Sequence, residues 1–237
     1  MAKWSNALAA IPGWVGEIAH LEAKRSIANI VASRVSDGDV VGVGSGSTAF
    51  LALQACAEHA VHTGISFTAI PTSIETAQSC VAFGVPTTSL MGARPDWCFD
   101  GADEVDGDHR LIKGRGGACF REKLVWRSCL GTRLLLVDAS KFVEQLGSTH
   151  SVPVEVVPEA LMLVDSALRA LPEVIDVAIR SAGSGKDGPV LTEYGNLLLE
   201  VRFGNIPAGT EAQLDAIPGV VASGLFEDNQ LEIVAAQ

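Results

Sequence analysis

The chain has 237 residues, of which 48% are hydrophobic and 19% are charged, and this composition excludes a disordered protein. The formal net charge of -11 argues against broad nucleic-acid binding, which requires a basic surface, although a few local cations are enough for a small anionic substrate. No apolar run approaches the roughly 20 residues that a membrane helix needs, so we expect no membrane association.

The five cysteines are an odd number without a CxxC pair, which favours reduced thiols and a cytoplasmic protein. The histidines form no HExxH motif, and we interpret His59 with His62 as an exposed helix end. These residues therefore predict no metal site.

The first half of the sequence alternates between predicted helices and strands. Helices are predicted at residues 18–35, 48–60 and 117–129 and at SIETAQSCVAFG, which Gly84 ends. Strands are predicted in DGDVVGVG, ISFTAI, VPTTSL, WCFDG and RLLLVDA. Such alternation is typical of a parallel sheet with helices on both faces.

The pattern changes after about His150. VPVEVV and VIDVAIR are predicted strands, Pro158 starts a helix between them, and PVLTEYGNLLLEVRF is predicted to form two strands before the short helix TEAQLDAI. This order predicts a small α+β domain. The final strands, in GVVASGLF and LEIVAAQ, could rejoin the first domain. We therefore predict a catalytic α/β domain at 1–149 plus 218–237 and a small domain at 150–217.

The loop GVGSGSTA lies between the first predicted strand and a helix. Its backbone N–H groups and the helix N-terminus favour an anion, and Ser47 and Thr48 can cap the helix or donate to a phosphate. Gly44, Gly46 and Ala49 also fit the dinucleotide pattern GxGxxA, but the second strand lacks the acid that would hold a ribose. No lysine precedes the hydroxyl residues, which excludes a Walker loop. The loop alone is equally compatible with a phosphate site and with a turn that binds nothing.

A second hydroxyl-rich loop, PTSIET, follows the second strand and opens a helix. Thr72 or Ser73 is the expected N-cap. In a parallel sheet both loops lie at the carboxyl edge, where ligands bind. Two such loops on one edge favour a small anionic ligand more than either loop alone.

The segment FDGADEVDGD gathers carboxylates after a predicted strand. Asp100 falls at the same carboxyl edge, and Asp103 could face the same pocket because the two residues between them are small. The other carboxylates are predicted to face solvent: Glu104, Asp106 and Asp108. Two further interpretations stay open, a solvated acidic turn without a ligand and a Mg²⁺ site built from carboxylate oxygens.

Lys113 places a cation close in sequence to these carboxylates, and opposite charges keep each other ionised. Glu122 follows on the helix that the glycines open, where an acid can simply stabilise the helix dipole. Its alternative role is a carboxylate base beside a lysine that stabilises an oxyanion. With a phosphate cradle, this set of groups suits proton transfer next to the carbonyl of a sugar phosphate.

Six blocks resemble the ribose-5-phosphate isomerase A family, in that family's order: VGVGSGSTA, DGADEVD, IKGRGGACFREK, VDASKFVEQLG, VPVEV and IPGVVASGLF. They span nearly the whole chain after residue 20. The resemblance implies interconversion of ribose 5-phosphate and ribulose 5-phosphate in the pentose phosphate pathway, through an enediolate and without a metal or organic cofactor. It also implies an α/β fold with a Rossmann-like parallel-sheet domain, a smaller ferredoxin-like α+β domain, and a homodimer or homotetramer.

The resemblance also assigns site residues. Glu122 matches the catalytic base, Lys113 and Asp100 match residues that assist ring opening and stabilise the oxyanion, and Asp103 matches a substrate-contacting acid. The implied substrate-binding residues are Lys24, Ser45, Gly46, Ser47, Thr48, Gly116 and Lys141.

Arg115 departs from the family by interrupting its glycine run, and it could narrow the pocket or add a cation to it.

Three functions are alternatives to the ribose-5-phosphate isomerase: an isomerase of another sugar phosphate, a sugar-phosphate-binding regulator without catalysis, and an NAD(P)-dependent oxidoreductase. The joint presence of the four catalytic candidates argues against the regulator, and the missing ribose acid argues against the oxidoreductase. The extra N-terminal segment, with Trp4 and Trp14, is predicted to be an interface or a tail.

Overall fold

A computed structural model describes residues 17–182, 187–227 and 230–236. The segment with Trp4 and Trp14 lies outside the described residues. The chain divides into two compact units, which we call the first unit (1–101, 124–139 and 232–237) and the second unit (102–123 and 140–231). The predicted domain boundaries stay a prediction.

The described residues form six α-helices and twelve strands. The helices are α1 (Leu21–Ala32), α2 (Ser47–Thr63), α3 (Ile74–Ala82), α4 (Cys119–Ser128), α5 (Leu161–Arg169) and α6 (Thr210–Asp215). The strands are β1 (Val40–Val43), β2 (Thr68–Pro71), β3 (Trp97–Gly101), β4 (Glu104–Val105), β5 (Leu111–Ile112), β6 (Arg133–Asp138), β7 (Val152–Val156), β8 (Val174–Ile179), β9 (Leu197–Phe203), β10 (Val220–Ser223), β11 (Leu225–Phe226) and β12 (Glu232–Ala236). Among the described residues, none of the helices has the length and apolar character needed to span a bilayer.

The first unit is built around a five-stranded parallel sheet in the order β12-β6-β3-β1-β2. This confirms the parallel sheet predicted from the alternation of elements. The chain leaves β1 toward β2 on one side and later adds β3 on the other, so the strand order reverses between β1 and β3. In open α/β sheets, ligands bind outside the carboxyl ends of the strands at such a switch point.

Apolar faces of the helices and strands explain the core of the first unit. Side chains of α1 and α2 pack with those of the central strands in one buried cluster, which includes Ile27, Val31, Val41, Leu53, Phe99 and Leu134. At about 25 cal/mol per Å² of buried apolar surface, such contacts are the main source of folding free energy. The core therefore holds the sheet and its first two helices together beneath the carboxyl edge.

Two local predictions for the first unit need correction. Gly46, with φ of 88°, is the N-cap of α2, so Ser47 and Thr48 belong to the first turn and do not cap the helix. VPTTSL forms no strand beyond one bridge between Ala69 and Thr87. Pro86 has no N–H to donate, which limits pairing in that segment.

The second unit contains a four-stranded antiparallel sheet in the order β10-β7-β9-β8. With α5 after β7 and α6 after β9, the chain order is β-α-β-β-α-β, which confirms the predicted ferredoxin-like arrangement. Its buried cluster joins these elements through residues such as Val154, Val164, Leu168, Leu199, Val201 and Leu214. A smaller three-stranded antiparallel sheet has the order β11-β5-β4.

Two segments of the second unit also differ from the prediction. The helix predicted from Pro158 begins as a 3-10 turn, Pro158–Ala160, before α5. The segment PVLTEYGNLLLEVRF, which the structure describes in full, forms one strand, β9, and not the two that were predicted. Its first half makes only two isolated bridges, Ser181 to Pro189 and Leu191 to Leu197. As with Pro86, the missing N–H of Pro189 weakens pairing there.

Candidate active site

Asp100 lies at the end of β3, beside the loop that follows β1. Gly44 donates its backbone N–H to the Phe99 carbonyl at 2.8 Å. Asp100 Oδ1 accepts the N–H of Ser45 at 3.2 Å and that of Gly101 at 2.7 Å, and the residue is only 2% exposed. The loop therefore orients a buried carboxylate at the carboxyl edge of the sheet, as predicted, and the strand order shows that this is the switch point.

Gly44 is required by this close approach. A Cβ at Gly44 would lie 2.3 Å from Cγ and Oδ1 of Asp100, far inside van der Waals contact. We expect Gly44→Ala to lower the free energy of unfolding by about 1–3 kcal/mol, because overpacking forces a rigid neighbour to move. Urea unfolding measures this loss. In the control Gly107→Ala a Cβ meets nothing within 4 Å, so equal stabilities of the two variants would refute the proposed contact.

Hydroxyl groups from the second loop hold Ser45. Its Oγ lies 2.8 Å from Oγ1 of Thr72 and 3.4 Å from Oγ1 of Thr76, and Thr76 in turn donates to the Gly44 carbonyl at 3.0 Å. Ser73 is the N-cap of α3, as predicted, and accepts the N–H of Thr76. Thr72 and Thr76 were not predicted to support the first loop, although both lie in the hydroxyl-rich segment PTSIET.

A cation stands at the N-terminus of α2. The buried Lys24 donates from Nζ to Ser47 Oγ at 2.9 Å, and Thr48 follows in the same helical turn. The first N–H groups of a helix have no intrahelical partners, and the helix dipole favours negative charge there. A lysine, hydroxyl groups and a helix N-terminus together form a site that suits a phosphate. Lys24 was implied by the family resemblance alone, and the structure brings it to the predicted loop.

In the second unit, Lys113 and Glu122 form a buried ion pair. Lys113 Nζ lies 3.6 Å from Glu122 Oε2, and the two residues are 3% and 5% exposed. Lys113 follows β5 and donates its backbone N–H to the Gly224 carbonyl at 2.8 Å, and Glu122 lies in α4. The structure therefore brings together the predicted base and its predicted oxyanion partner.

A glycine turn makes this pairing feasible. Gly114 and Gly117 have φ of 95° and 87°, a conformation that side chains disfavour, and Gly117 donates its N–H to the Gly114 carbonyl at 2.9 Å. A Cβ at Gly114 would also lie 2.6 Å from Cβ of Cys119. Between them, Gly116 is exposed and has no neighbour within 4 Å of its Cβ position. The turn carries the chain from β5 into α4 within a few residues.

Arg115 occupies the same turn without disturbing it. Its backbone N–H donates to Asp103 Oδ2 at 3.1 Å, and its carbonyl accepts from Nη1 of Arg180 at 2.9 Å. Its exposed side chain lines a cavity of about 190 Å³ together with Asp103, His150 and Glu200. Arg115 therefore adds a cation to the lining of this cavity, and its effect on the substrate stays a prediction.

The prediction that Glu104 and Asp106 face solvent is wrong, whereas Asp108 is exposed as predicted. Glu104 accepts backbone N–H groups from Gly147 at 2.6 Å, Thr149 at 2.7 Å and His150 at 2.6 Å. Asp106 pairs with Arg110 at 2.8 Å and accepts the N–H of Asp108 at 3.0 Å. These carboxylates fasten loops of the second unit, because a buried charge needs hydrogen-bond partners.

Hydrogen bonding controls the pKa of Glu104. Burial raises this pKa, but hydrogen bonds from Thr149, Gly147 and His150 outweigh burial and hold it below the ordinary value of 4.5. The charged carboxylate therefore stabilises the fold above pH 4.5, and this contribution is lost as the pH falls through the lower folded-state pKa.

We expect Glu104→Gln to lower the free energy of unfolding at pH 7 by about 1–3 kcal/mol, because buried N–H donors lose their acceptors. The difference from the wild type should shrink as the pH falls below 4.5. Denaturant unfolding between pH 3 and pH 7 checks this, with Asp108→Asn as an exposed control from the same loop. A difference that stays constant across this range would contradict the assigned role.

The remaining predicted residue, Lys141, is partly exposed in the 3-10 turn Ala139–Lys141 that follows β6. Within the described ranges, no group of three or more His, Cys, Asp or Glu side chains is arranged to hold a metal ion. In FDGADEVDGD, backbone N–H groups bind the carboxylates of Asp100, Asp103 and Glu104, Arg110 pairs with Asp106, and Asp108 is exposed.

The sequence model of the family described as ribose 5-phosphate isomerase A (phosphoriboisomerase A) matches residues 68–237. A ribose-5-phosphate isomerase A of Synechococcus is 45% identical over 212 residues, covering 86% of this chain and 88% of that protein. The chain belongs to the ribose-5-phosphate isomerase A family. A relative from Methanothermobacter thermautotrophicus is 39% identical over 208 residues, with coverage of 87% and 90%.

Solved structures agree with this assignment. The ribose 5-phosphate isomerase A of Methanocaldococcus jannaschii superposes with a TM-score of 0.86 at 34% identity, covering 92% of this chain and 96% of that one. A D-ribose-5-phosphate isomerase in complex with phospho-erythronic acid gives a TM-score of 0.85 at 33% identity, with coverage of 91% and 94%. The predicted family and α/β fold are confirmed, and the enzyme interconverts ribose 5-phosphate and ribulose 5-phosphate.

Proposed function

We propose that Glu122 is the base of the isomerisation and that Lys113 stabilises the oxyanion that forms on the sugar. The observation that carries this proposal is the buried pair itself, with 3.6 Å between Lys113 Nζ and Glu122 Oε2. Out of contact with bulk water, a fixed ammonium stabilises developing negative charge more strongly than it would in solution. A carboxylate held beside it stays ionised and can accept a proton.

Glu122 and Lys113 together account for the proton transfer from C2 to C1. Glu122 takes the proton from C2 of open-chain ribose 5-phosphate, the C–H electron pair forms the C1–C2 double bond, and negative charge moves to O1. Lys113 stabilises this enediolate. The protonated Glu122 then returns the proton to C1, while the proton of the C2 hydroxyl moves to O1 and C2 becomes the carbonyl of ribulose 5-phosphate.

We propose that the phosphate binds at the N-terminus of α2. The buried Lys24, the hydroxyl of Ser47 and the first-turn N–H groups support this, because they supply a cation and donors to one anion. Ser45, Gly46 and Thr48 complete the loop. The orientation of Asp100 by the Ser45 and Gly101 N–H groups supports its proposed role in ring opening. Asp103, Gly116 and Lys141 are proposed as further substrate contacts on the strength of the family match.

A coupled assay tests this function across several pentose and hexose phosphates. We expect turnover of ribose 5-phosphate above all others, and we expect the rate to survive dialysis against EDTA because no proposed step uses a metal. Phospho-erythronic acid serves as the binding probe, since a relative binds it. Binding of the probe without turnover of any sugar phosphate would identify a regulator and contradict the proposed chemistry.

We also propose a cytoplasmic homodimer or homotetramer. The five cysteines are free thiols, which supports a reducing compartment. Large apolar side chains are exposed on α5 and β8, and such side chains often mark contacts between copies of a chain: Met162, Leu163, Ile175 and Ile179. Light scattering coupled to gel filtration measures the mass directly, and a monomer would refute this part of the proposal.

A further inference from the structure

Lys123, the residue after the proposed base, is a second buried cation. It is 6% exposed, and its Nζ lies 2.7 Å from Glu211 Oε1 and 3.6 Å from Asp215 Oδ2. It also donates to the Leu225 carbonyl at 3.0 Å and to Ser223 Oγ at 3.2 Å. We call these five residues the Lys123 cluster. All of them belong to the second unit, and none has a part in the proton transfer described above.

Stability alone is a weak reason for such a cluster. Removing two charges from water costs several kcal/mol per ion, and buried ion pairs can often be replaced by apolar residues without loss of stability. Glu211 is itself 5% exposed and also accepts the N–H of Glu227 at 2.9 Å. A lysine with three hydrogen-bond acceptors can hold one position for α4, which a less directional apolar contact cannot do.

The cluster is linked to Lys113 through one short strand. The Leu225 carbonyl that accepts from Lys123 belongs to the residue next to Gly224, whose carbonyl accepts the N–H of Lys113 at 2.8 Å. The buried Phe226 ring lies near both ammonium groups, with its centroid 5.0 Å from Lys123 Nζ and 5.8 Å from Lys113 Nζ. Both cations therefore share one rigid neighbour.

The cluster is also linked to Glu122 through the helix. Successive helical residues point about 100° apart, so neighbouring side chains contact different surroundings. Glu122 contacts Lys113, while Lys123 contacts α6 and the segment from β10 to β11. A displacement of Lys123 therefore moves the backbone that carries Glu122.

We propose that Lys123 is a positioning residue, which with Glu211 holds α4 against the strand that pairs beside Lys113 and so sets the separation of Lys113 and Glu122. This inference rests on the proposed roles of those two residues. A misplacement of about 1 Å in catalytic geometry can cost about 100-fold in rate. The effect is expected in kcat and not in KM, because Glu122 and Lys113 act on the transition state.

The test compares Lys123→Met with the double variant Lys123→Met/Glu211→Gln by steady-state kinetics and urea unfolding. Lys123→Met should lower kcat at least about tenfold with KM within about threefold, and it should lose stability because the buried Glu211 loses its ion pair with Lys123. The double variant should regain stability without regaining kcat. A merely structural role would restore both together, so that result would overturn the proposal, and the double variant stays informative even where the single one fails to fold.

Two further variants complete the experiment. Arg127→Met removes an exposed cation from the same helix and should leave kcat within about twofold of the wild type. Glu122→Gln separates the two proposals. If it keeps wild-type activity, the assigned base is wrong, whereas an inactive Glu122→Gln beside a fully active Lys123→Met refutes only the positioning role.

Discussion

Glu122→Gln is expected to reduce kcat for ribose 5-phosphate by about 10²–10⁴-fold, because the amide cannot accept the proton from C2. The side chain keeps its volume and one oxygen beside Lys113, so substrate binding should change little, whereas the free energy of unfolding should fall because the buried Lys113 loses its carboxylate partner. Calorimetric titration with phospho-erythronic acid checks binding, and the coupled assay checks kcat.

Glu159→Gln provides the matched control, since Glu159 is exposed in the 3-10 turn before α5. It should retain wild-type kcat and KM. If Glu122→Gln instead raised only KM, its carboxylate would contribute binding and not proton transfer.

Lys113→Met carries the second large effect. The variant loses the ammonium that faces the developing oxyanion, and removal of one such group typically lowers kcat by about 10²–10³-fold. It also leaves the buried Glu122 without the cation 3.6 Å away, so we expect a loss of about 3–5 kcal/mol in the free energy of unfolding. Steady-state kinetics and urea unfolding measure the two losses separately.

The double variant Lys113→Met/Glu122→Gln distinguishes these effects. Because it removes both charges, it should recover much of the lost stability and remain inactive. Recovery of activity together with stability would contradict both proposed roles, because the double variant lacks the base as well as the ammonium group.

The parts of the site that could be predicted from the sequence are those carried by local patterns. Strand–helix alternation predicts the parallel sheet, and the carboxyl edge then places Asp100 and the loop of Ser45 in one region. The glycine turn between Lys113 and α4 indicates that Glu122 follows closely after the lysine. The contacts of Lys113 with Glu122 and of Ser45 with Asp100 agree with this reasoning.

The remaining features depend on contacts between residues distant in sequence. Glu104 is acidic and lies in a polar segment, yet its partners begin 43 residues later, at Gly147. Lys123 ends the block IKGRGGACFREK without an assigned role, and its carboxylate partners lie on α6. No local pattern distinguishes such buried charges from a solvated surface, because their environment is set by tertiary packing.

Proton exchange with solvent tests the central claim most directly. The wild-type enzyme, incubated with ribose 5-phosphate in D₂O, should introduce deuterium at C2 of the aldose and at C1 of the ketose, as followed by NMR. The Glu122→Gln variant should bind phospho-erythronic acid and introduce almost no deuterium. Exchange by this variant at the wild-type rate would contradict a proton transfer through Glu122.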